Sequence, residues 1–289
     1  MDERFCKILR EPEVTQPRMV LGFSGWMDGG DASTGTVEYL IGKLGAEVFA
    51  EIEPSEFYLY NFPGPMEVAA LFRPHTKIAE GKIVDFQEPT SRFYYDSDTD
   101  LILFVGKEPN FRWKEYAACV LGVATQFNVR QLFFVGSVAS TVPHTREPRF
   151  LCSVSRGRLR GLLQKYGVQP SDYEGPASFV TYLIVQARQR GLEMTSLVAE
   201  IPAYVQGRNV RSIEAVSRKL LAVLGVSIDL DELRAQSLEF AKRLDEVVRG
   251  RPELAELIRK IEKDYDKEVL DSQMAELKAW FEKQDIRLD

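Results

Sequence analysis

Residues 19–45 read MVLGFSGWMDGGDASTGTVEYLIGKLG, and this stretch decides the fold class. The apolar run over 19–23 predicts a buried strand, and the three- and four-residue spacing of apolar residues over 37–44 predicts a helix. A glycine-rich loop separates the two. Asp31 is the predicted N-cap of the helix and Gly45 its predicted stop. A strand, a tight loop and a helix in this order indicate the first unit of an α/β fold.

The same alternation continues along the chain. Six further runs predict strands: EVFAEI (47–52), KIVDF (82–86), DLILFVG (100–106), RQLFFVGSV (130–138), RFLCSV (149–154) and SLVAEI (196–201). The runs at 100–106 and 130–138 are almost entirely apolar, as expected of central strands covered on both faces. Helices are predicted over 111–128, with Asn110 as a cap, and over 176–190, with Pro176 in the first turn. We therefore expect a three-layer α/β/α sandwich with a mostly parallel sheet.

The composition changes after residue 228. The sandwich domain is predicted over 1–228 and a helical C-terminal extension over 229–289, packed on the sandwich or on a neighbouring subunit. Three amphipathic helices are expected there, separated at Gly250–Pro252 and at Asp271–Ser272. Their apolar stripes include Leu254, Leu257, Ile258, Ile261, Leu277, Trp280 and Phe281.

The composition also excludes several classes of protein. The chain has 289 residues and a net charge of −6, and a general nucleic-acid binder needs a basic surface. No segment approaches the roughly 20 apolar residues of a membrane span, and residues 1–13 are too charged for a signal peptide. Three cysteines without CxxC spacing suggest reduced thiols in the cytoplasm, and Cys119 and Cys152 fall in apolar runs that predict burial. Two distant histidines give no metal-ligand spacing, so no metal is expected.

Four loops carry the candidate functional residues. The loop over 25–35 offers backbone N–H groups at a helix N-terminus, which can bind an anion. It lacks the lysine of a P-loop, and Asp28 and Asp31 would repel a phosphate. The sequence leaves two interpretations open: an anion cradle, or a turn in which Gly29 and Gly30 supply unusual backbone angles and Trp26 lines a cleft.

The other three loops are also ambiguous. In GKEPNFRW (106–113), Glu108, Arg112 and Trp113 could present a carboxylate, a fork of donors and a stacking face, or they could simply begin a helix. In STVPHTREP (140–148), His144 is either a general base or a structural residue. In DYEGPAS (172–178), Glu174 lies in a turn or contacts a ligand. No nucleophile motif is present.

Five motifs in order carry a family resemblance. GWMDGGDASTGTVEYL, GKEPNFRW, VGSVASTVPHTR, YEGPAS and AEIPAYV together resemble the bacterial branch of the proteasome assembly chaperone 2 family, over about residues 19–206. The resemblance implies a fold similar to purine nucleoside phosphorylases, with a helical C-terminal extension. It also implies a non-enzymatic assembly role of the kind that eukaryotic members have. No cofactor is expected, because the sequence has no glycine-rich ATP loop with paired lysines. The chain reads Ile286-Arg287-Leu288-Asp289 where those members carry a penultimate tyrosine, which argues against tail-dependent proteasome docking.

Two functional hypotheses follow. The first is a cytoplasmic, homo-oligomeric scaffold or assembly factor that acts on a protein client. The second is a small-molecule-binding enzyme or sensor for a nucleoside-like or anionic ligand, with Arg112 on the anion. The sequence does not decide whether the protein is an enzyme, although it favours a non-enzymatic role. No catalytic residue is assigned. The ligand-binding candidates are Trp26, Asp28, Gly29, Gly30, Glu108, Arg112, Trp113, His144 and Glu174.

Overall fold

In the computed structural model, which describes residues 4–283, the chain folds around a nine-stranded mixed sheet with helices on both faces. The strands are β1 (Cys6–Ile8), β2 (Arg18–Ser24), β3 (Glu47–Ile52), β4 (His75–Ala79), β5 (Lys82–Gln87), β6 (Arg92–Asp96), β7 (Leu101–Lys107), β8 (Gln131–Ser140), β9 (Phe150–Cys152), β10 (Val168–Pro170) and β11 (Met194–Pro202). The helices are α1 (Ala32–Leu44), α2 (Met66–Ala70), α3 (Trp113–Gln126), α4 (Arg158–Gln164), α5 (Phe179–Gln189), α6 (Val210–Leu224), α7 (Asp231–Arg249) and α8 (Pro252–Lys283).

The predicted sandwich is confirmed, with its parallel strands at the centre. The sheet order is β1-β3-β6-β7-β2-β8-β11-β9-β10, in which β7, β2, β8 and β11 run parallel. At one margin, β6 pairs antiparallel with β7 and with β3, and at the other, β9 pairs antiparallel with β11 and parallel with β10. The nearly continuous apolar runs of β7 and β8 therefore occupy the positions that are buried on both faces.

Each face of the sheet has its own apolar core. On one face, α3 and α5 cover an aromatic cluster that includes Phe23, Phe104 and Tyr116. On the other face, α1 and α6 cover mostly aliphatic side chains, and Leu230 and Leu233 near the start of α7 belong to this second core. The first turn of the C-terminal helices is thus part of the sandwich.

Three sequence predictions about helices are wrong. α5 begins at Phe179 and not at Pro176, because the Ser178 hydroxyl accepts the Thr181 N–H at 3.1 Å and caps the helix there. Asn110 does not cap α3, because its side-chain oxygen accepts the Leu59 N–H at 3.0 Å.

The third correction concerns the C-terminal extension, where α8 is one helix through Asp271–Ser272. A serine or aspartate inside a helix costs little, and neither residue removes a backbone donor as a proline would. The break before Pro252 is confirmed. The side chains of Leu277, Trp280 and Phe281, and the segment 284–289 with Ile286, lie outside the part of the chain that the structure describes.

The segment between β3 and β6 is an insertion whose strands are not part of the main sheet. It contains α2 and the hairpin β4–β5, which forms a separate two-stranded sheet. The run KIVDF is therefore a strand, as predicted, but in this hairpin and not in the main sheet. None of the helices within residues 4–283 combines the length and the apolar character needed to cross a membrane.

Candidate functional site

Three of the four candidate loops follow parallel strands, whose carboxyl ends lie at one edge of the sheet. The fourth, over 172–178, follows β10, which runs in the opposite direction. The glycine-rich loop follows β2, Glu108 follows β7, and the loop with His144 follows β8. In open α/β sheets, ligands bind outside this edge, where neighbouring connections diverge to opposite faces. The local contacts decide which of these side chains are free to act.

The backbone of the glycine-rich loop is hydrogen-bonded to β8, and two of its glycines lie where a side chain would not fit. Gly25 has φ +142°, and a β-carbon there would approach the Glu108 side chain to 2.8 Å. Gly30 has φ +63°, and a β-carbon there would approach Cβ of Asn209 to 2.7 Å. The Ser137 hydroxyl donates to the carbonyl of Gly29 at 2.6 Å, and the Ser137 N–H donates to the carbonyl of Met27 at 2.9 Å. The loop is therefore a tight turn fixed to β8, as the second interpretation predicts.

Asp28 is the residue that caps α1. Its carboxylate accepts the N–H groups of Ser33 at 2.7 Å and Thr34 at 3.1 Å, and the Thr34 hydroxyl at 2.8 Å. Asp31 occupies the N-cap position, as predicted, but with φ 55° its side chain makes no capping hydrogen bond, so the capping carboxylate comes from Asp28. The amides that would form an anion cradle are already occupied by a carboxylate of the chain itself.

Burial makes this carboxylate unusual. Desolvation raises the pKa of Asp28 to about 6, and the three hydrogen bonds from Thr34 and Ser33 counteract part of that rise. A carboxyl group with this pKa can exchange a proton near neutral pH. However, its hydrogen bonds are all directed into the helix, which favours a structural role.

Glu108 joins two loops at the sheet edge. One of its oxygens accepts the Trp26 N–H at 2.9 Å, and the other accepts the Phe179 N–H at 2.6 Å. The carboxylate thus links the turn after β2 to the start of α5. These two charge-assisted hydrogen bonds hold the two segments together.

Arg112 and Trp113 diverge from each other. Arg112 pairs with Glu56 and stacks on the Phe5 ring, with 4.6 Å between the guanidinium carbon and the ring centroid. Trp113 packs edge-on against Phe179 and donates its indole N–H to the Pro109 carbonyl at 2.9 Å. Arg112 therefore packs against Glu56 and Phe5 and does not line the cleft beside Trp26.

His144 is buried in a hydrogen-bonded network. The Tyr204 hydroxyl accepts the backbone N–H of His144 at 2.7 Å and lies 2.7 Å from its Nδ1, while Nε2 lies 3.1 Å from an Asp245 carboxylate oxygen. With a neutral imidazole, all three contacts are satisfied when the tyrosine donates to Nδ1 and Nε2–H donates to Asp245. This geometry connects the loop after β8 to α7.

The residues after His144 bind α8. Arg146 makes a bidentate pair with Asp266, at 2.9 and 2.8 Å. Arg149 pairs with Glu268 and with Glu200, each at 2.6 Å. The loop over 143–149, which we call the clasp loop, therefore attaches both C-terminal helices to the sandwich.

Two cavities share the Trp26 side chain as a wall. The smaller, of about 320 Å³, is lined by Trp26, Glu108 and Trp113 together with Lys107, whose pKa is lowered by burial. The larger, of about 450 Å³, lies between α5, β11 and the loop over 171–178. Glu174 is exposed in that loop.

The predicted convergence of the candidates is thus only partial. The structure brings Trp26, Glu108 and Trp113 together and places Asp28, Gly29 and Gly30 behind them in the turn. Arg112, His144 and Glu174 lie elsewhere, so a single cleft built from all of them is wrong. Any role of these residues in binding a ligand stays a prediction.

Sequence reasoning missed three residues of these networks, namely Ser137, Tyr204 and Asp245. Tyr204 lies in the motif AEIPAYV, 60 positions from His144, and Asp245 lies 101 positions from it. No local spacing connects residues so far apart. Among the described residues, no group of three or more His, Cys, Asp and Glu side chains is arranged to hold a metal ion.

Known proteins share this architecture. The model of the PAC2 family matches residues 22–248. A Mycobacterium tuberculosis protein of unknown function is similar over 94% of this chain and 92% of its own, with a TM-score of 0.83 and 22% identity. No curated protein matches the chain.

Two further solved structures carry a description. A Mycobacterium tuberculosis proteasome-assembly chaperone homologue has a TM-score of 0.72 and 27% identity over 83% of this chain and 99% of its own. An archaeal proteasome activator from Pyrococcus furiosus has a TM-score of 0.63 and 21% identity over 84% of this chain and 97% of its own. The second similarity is one of fold alone.

Proposed function

Because this chain belongs to the PAC2 family, we propose that it acts through protein contacts, as a homo-oligomeric scaffold with an assembly-chaperone-like role. The similarity to a proteasome-assembly chaperone homologue supports a role of this kind. The cytoplasmic location also stays a prediction. The observation that carries the proposal is the exposed apolar surface of the insertion between β3 and β6.

The hairpin β4–β5 has one apolar and one polar face. Ile78 lies opposite Ile83, and Thr76 lies opposite Phe86, so these residues share a face. Ile78, Ile83 and Phe86 are each more than half exposed. The other face carries His75, Lys77, Asp85 and Gln87. An amphipathic ribbon of this kind is typical of a surface that another protein covers.

The rest of the insertion extends the same apolar character. Met66 is 82% exposed and Leu71 is 74% exposed, both in or beside α2. An isolated two-stranded hairpin is at best marginally stable in water, so this hairpin needs a partner. A second copy of the chain supplies a matching apolar face and open strand edges, which is the requirement of a twofold, self-complementary interface.

Sedimentation velocity of the purified protein tests this proposal. The wild type should sediment as an oligomer at micromolar concentration, and the double substitution Ile78→Lys/Ile83→Lys should shift it to the monomer. The melting temperature of the sandwich should hardly change, because both side chains lie on the hairpin surface. The matched control is Lys77→Ser/Gln87→Ser on the polar face, which should sediment like the wild type.

The assembly role needs a second readout. Affinity capture from native lysate with the wild type should yield a stoichiometric protein in addition to the chain itself, and the Ile78→Lys/Ile83→Lys variant should lose it. A wild-type monomer that captures nothing would overturn the proposal. An oligomer that captures nothing would leave a self-assembling scaffold and remove the chaperone-like role.

A further inference from the structure

The cavity of about 450 Å³ beside Trp26 has the size of a ligand site. Pockets for small molecules measure roughly 300–1,000 Å³ and combine an apolar wall with a few polar groups. Its floor is formed by Val198 of β11 and Leu151 of β9, and α5 contributes Val180 and Ile184. Val198, Val180 and Ile184 belong to the aromatic core under α5.

The mouth of this cavity is aromatic. Trp26 is 65% exposed and Tyr173 is 66% exposed, and both line the cavity. Large exposed rings at the rim of an apolar pocket offer stacking faces at little cost in side-chain entropy. Their π faces also attract positive charge.

The charged side chain in the lining of this cavity is negative. Asp172 supplies a carboxylate at the mouth, and the remaining polar side chains are mostly hydroxyls, including Ser153, Thr181 and Ser196. The residues that line the cavity include no lysine, arginine or histidine. A bound anion would therefore meet a carboxylate and no positively charged group.

We propose that this cavity, which we call the α5 pocket, binds a small organic cation: an ammonium group attached to an aromatic or aliphatic body. The body fills the apolar floor under α5. The ammonium group lies at the mouth, between the Trp26 and Tyr173 rings and the Asp172 carboxylate. This inference is independent of the scaffold proposal, because the pocket and the hairpin share no residue.

The α5 pocket is also separate from the clasp loop. Its lining comes from β8, β9, β11, α5 and the loops that follow β2, β9 and β10, and no residue of α7 or α8 is among them. Substitutions in the pocket can therefore be made without loosening the C-terminal helices.

Three phenyl compounds that differ in charge test the proposal. Methyl NMR spectra of the full chain are recorded during titration with phenethylamine, 2-phenylethanol and phenylacetate. Phenethylamine should shift the methyl signals of Ile184, Val198 and Leu151 at the lowest concentration, 2-phenylethanol should bind several-fold more weakly, and phenylacetate should cause no shift. Asp172→Asn should weaken phenethylamine about two- to fivefold, as expected of one exposed ion pair, and leave 2-phenylethanol unchanged.

A matched pair of substitutions on α5 locates the binding. Thr181 lines the pocket, whereas Val185, one turn further along the same helix, is exposed and does not. Thr181→Trp should fill the pocket and abolish the shifts, and Val185→Trp should leave them intact. The proposal is overturned if phenylacetate binds as well as the amine, if no compound shifts these methyl groups at millimolar concentration, or if binding survives Thr181→Trp.

Discussion

The carboxylate of Asp28 occupies the position at the N-terminus of α1 that a bound anion would take. Its oxygens accept two backbone N–H groups and one hydroxyl from the first turn of the helix. The sequence pattern predicts the cap at Asp31, three positions further along the chain. The left-handed backbone at Asp31 turns that side chain away from the helix amides, which a spacing rule cannot foresee.

The raised pKa of Asp28 predicts a specific dependence of stability on pH. Burial raises the pKa in the folded chain to about 6, so the folded state holds this proton more tightly than the unfolded state. The stabilisation is complete below about pH 4, decreases as the pH rises towards 6, and is absent above that value. Two pKa units correspond to about 3 kcal/mol of unfolding free energy, which is an upper bound for this effect.

Asp28→Asn isolates this contribution, because an amide keeps the shape and an acceptor oxygen but does not titrate. Urea unfolding of both proteins across this pH range gives the difference between their unfolding free energies. The wild type should lose stability relative to the variant between about pH 4 and pH 6, and the difference should be constant above that range. If the wild type instead gains stability relative to the variant as the pH rises, the hydrogen bonds outweigh burial and hold the pKa of Asp28 low.

At the scale of elements, the clasp loop determines where the C-terminal helices sit. Arg149 is the central residue, because it pairs with Glu200 on β11 and Glu268 on α8 and lies over the Tyr265 ring at 4.9 Å. Glu200 is mostly buried, so this pair is shielded from solvent more than a surface pair. The Tyr265 hydroxyl also donates to the Glu147 carbonyl at 2.6 Å.

Arg149→Ala should therefore release α8 locally without unfolding the sandwich. We expect amide hydrogen exchange in residues 258–268 to become roughly tenfold faster, which corresponds to about 1.4 kcal/mol of lost local stability. Exchange in β7 and β8 should stay unchanged. Arg234→Ala is the control, because the ion pair that Arg234 makes with Asp231 lies within α7 and does not involve α8. Equal effects of the two substitutions, or faster exchange in the central strands, would contradict this account of the clasp loop.

The elements show which parts of the fold a sequence can specify. β7 and β8 were predictable, because strands buried on both faces need almost uninterrupted apolar runs. α6 was missed although its signal is present: Asn209 caps it, with a side-chain oxygen 3.1 Å from the Ser212 N–H, and Gly225 ends it in the left-handed conformation. The role of His144 had no such signal, because Tyr204 and Asp245 are brought to it only by the completed sheet.

At the scale of the whole molecule, apolar and ionic contacts cross the predicted division at residue 228. Leu230 and Leu233 are 4% and 3% exposed and belong to the core under α1 and α6. Lys43 of α1 also pairs with Asp229 at 3.4 Å. The start of α7 therefore completes the apolar core of the sandwich, whereas α8 reaches it through the clasp loop and through α7.

Two truncations distinguish these roles. A chain that ends at Gly250 keeps α7 and should unfold cooperatively, with a modest decrease in melting temperature. A chain that ends at Ile228 loses both leucines, and removing a buried leucine side chain costs about 2–5 kcal/mol. Since a domain has only about 5–15 kcal/mol of net stability, the shorter chain should be largely unfolded or aggregated.

Leu230→Ala/Leu233→Ala in the full chain should reproduce most of that loss, which calorimetry can measure. If the chain ending at Ile228 instead melts at the same temperature as the chain ending at Gly250, the division at 228 is the correct domain boundary, and α7 is an appendage like α8.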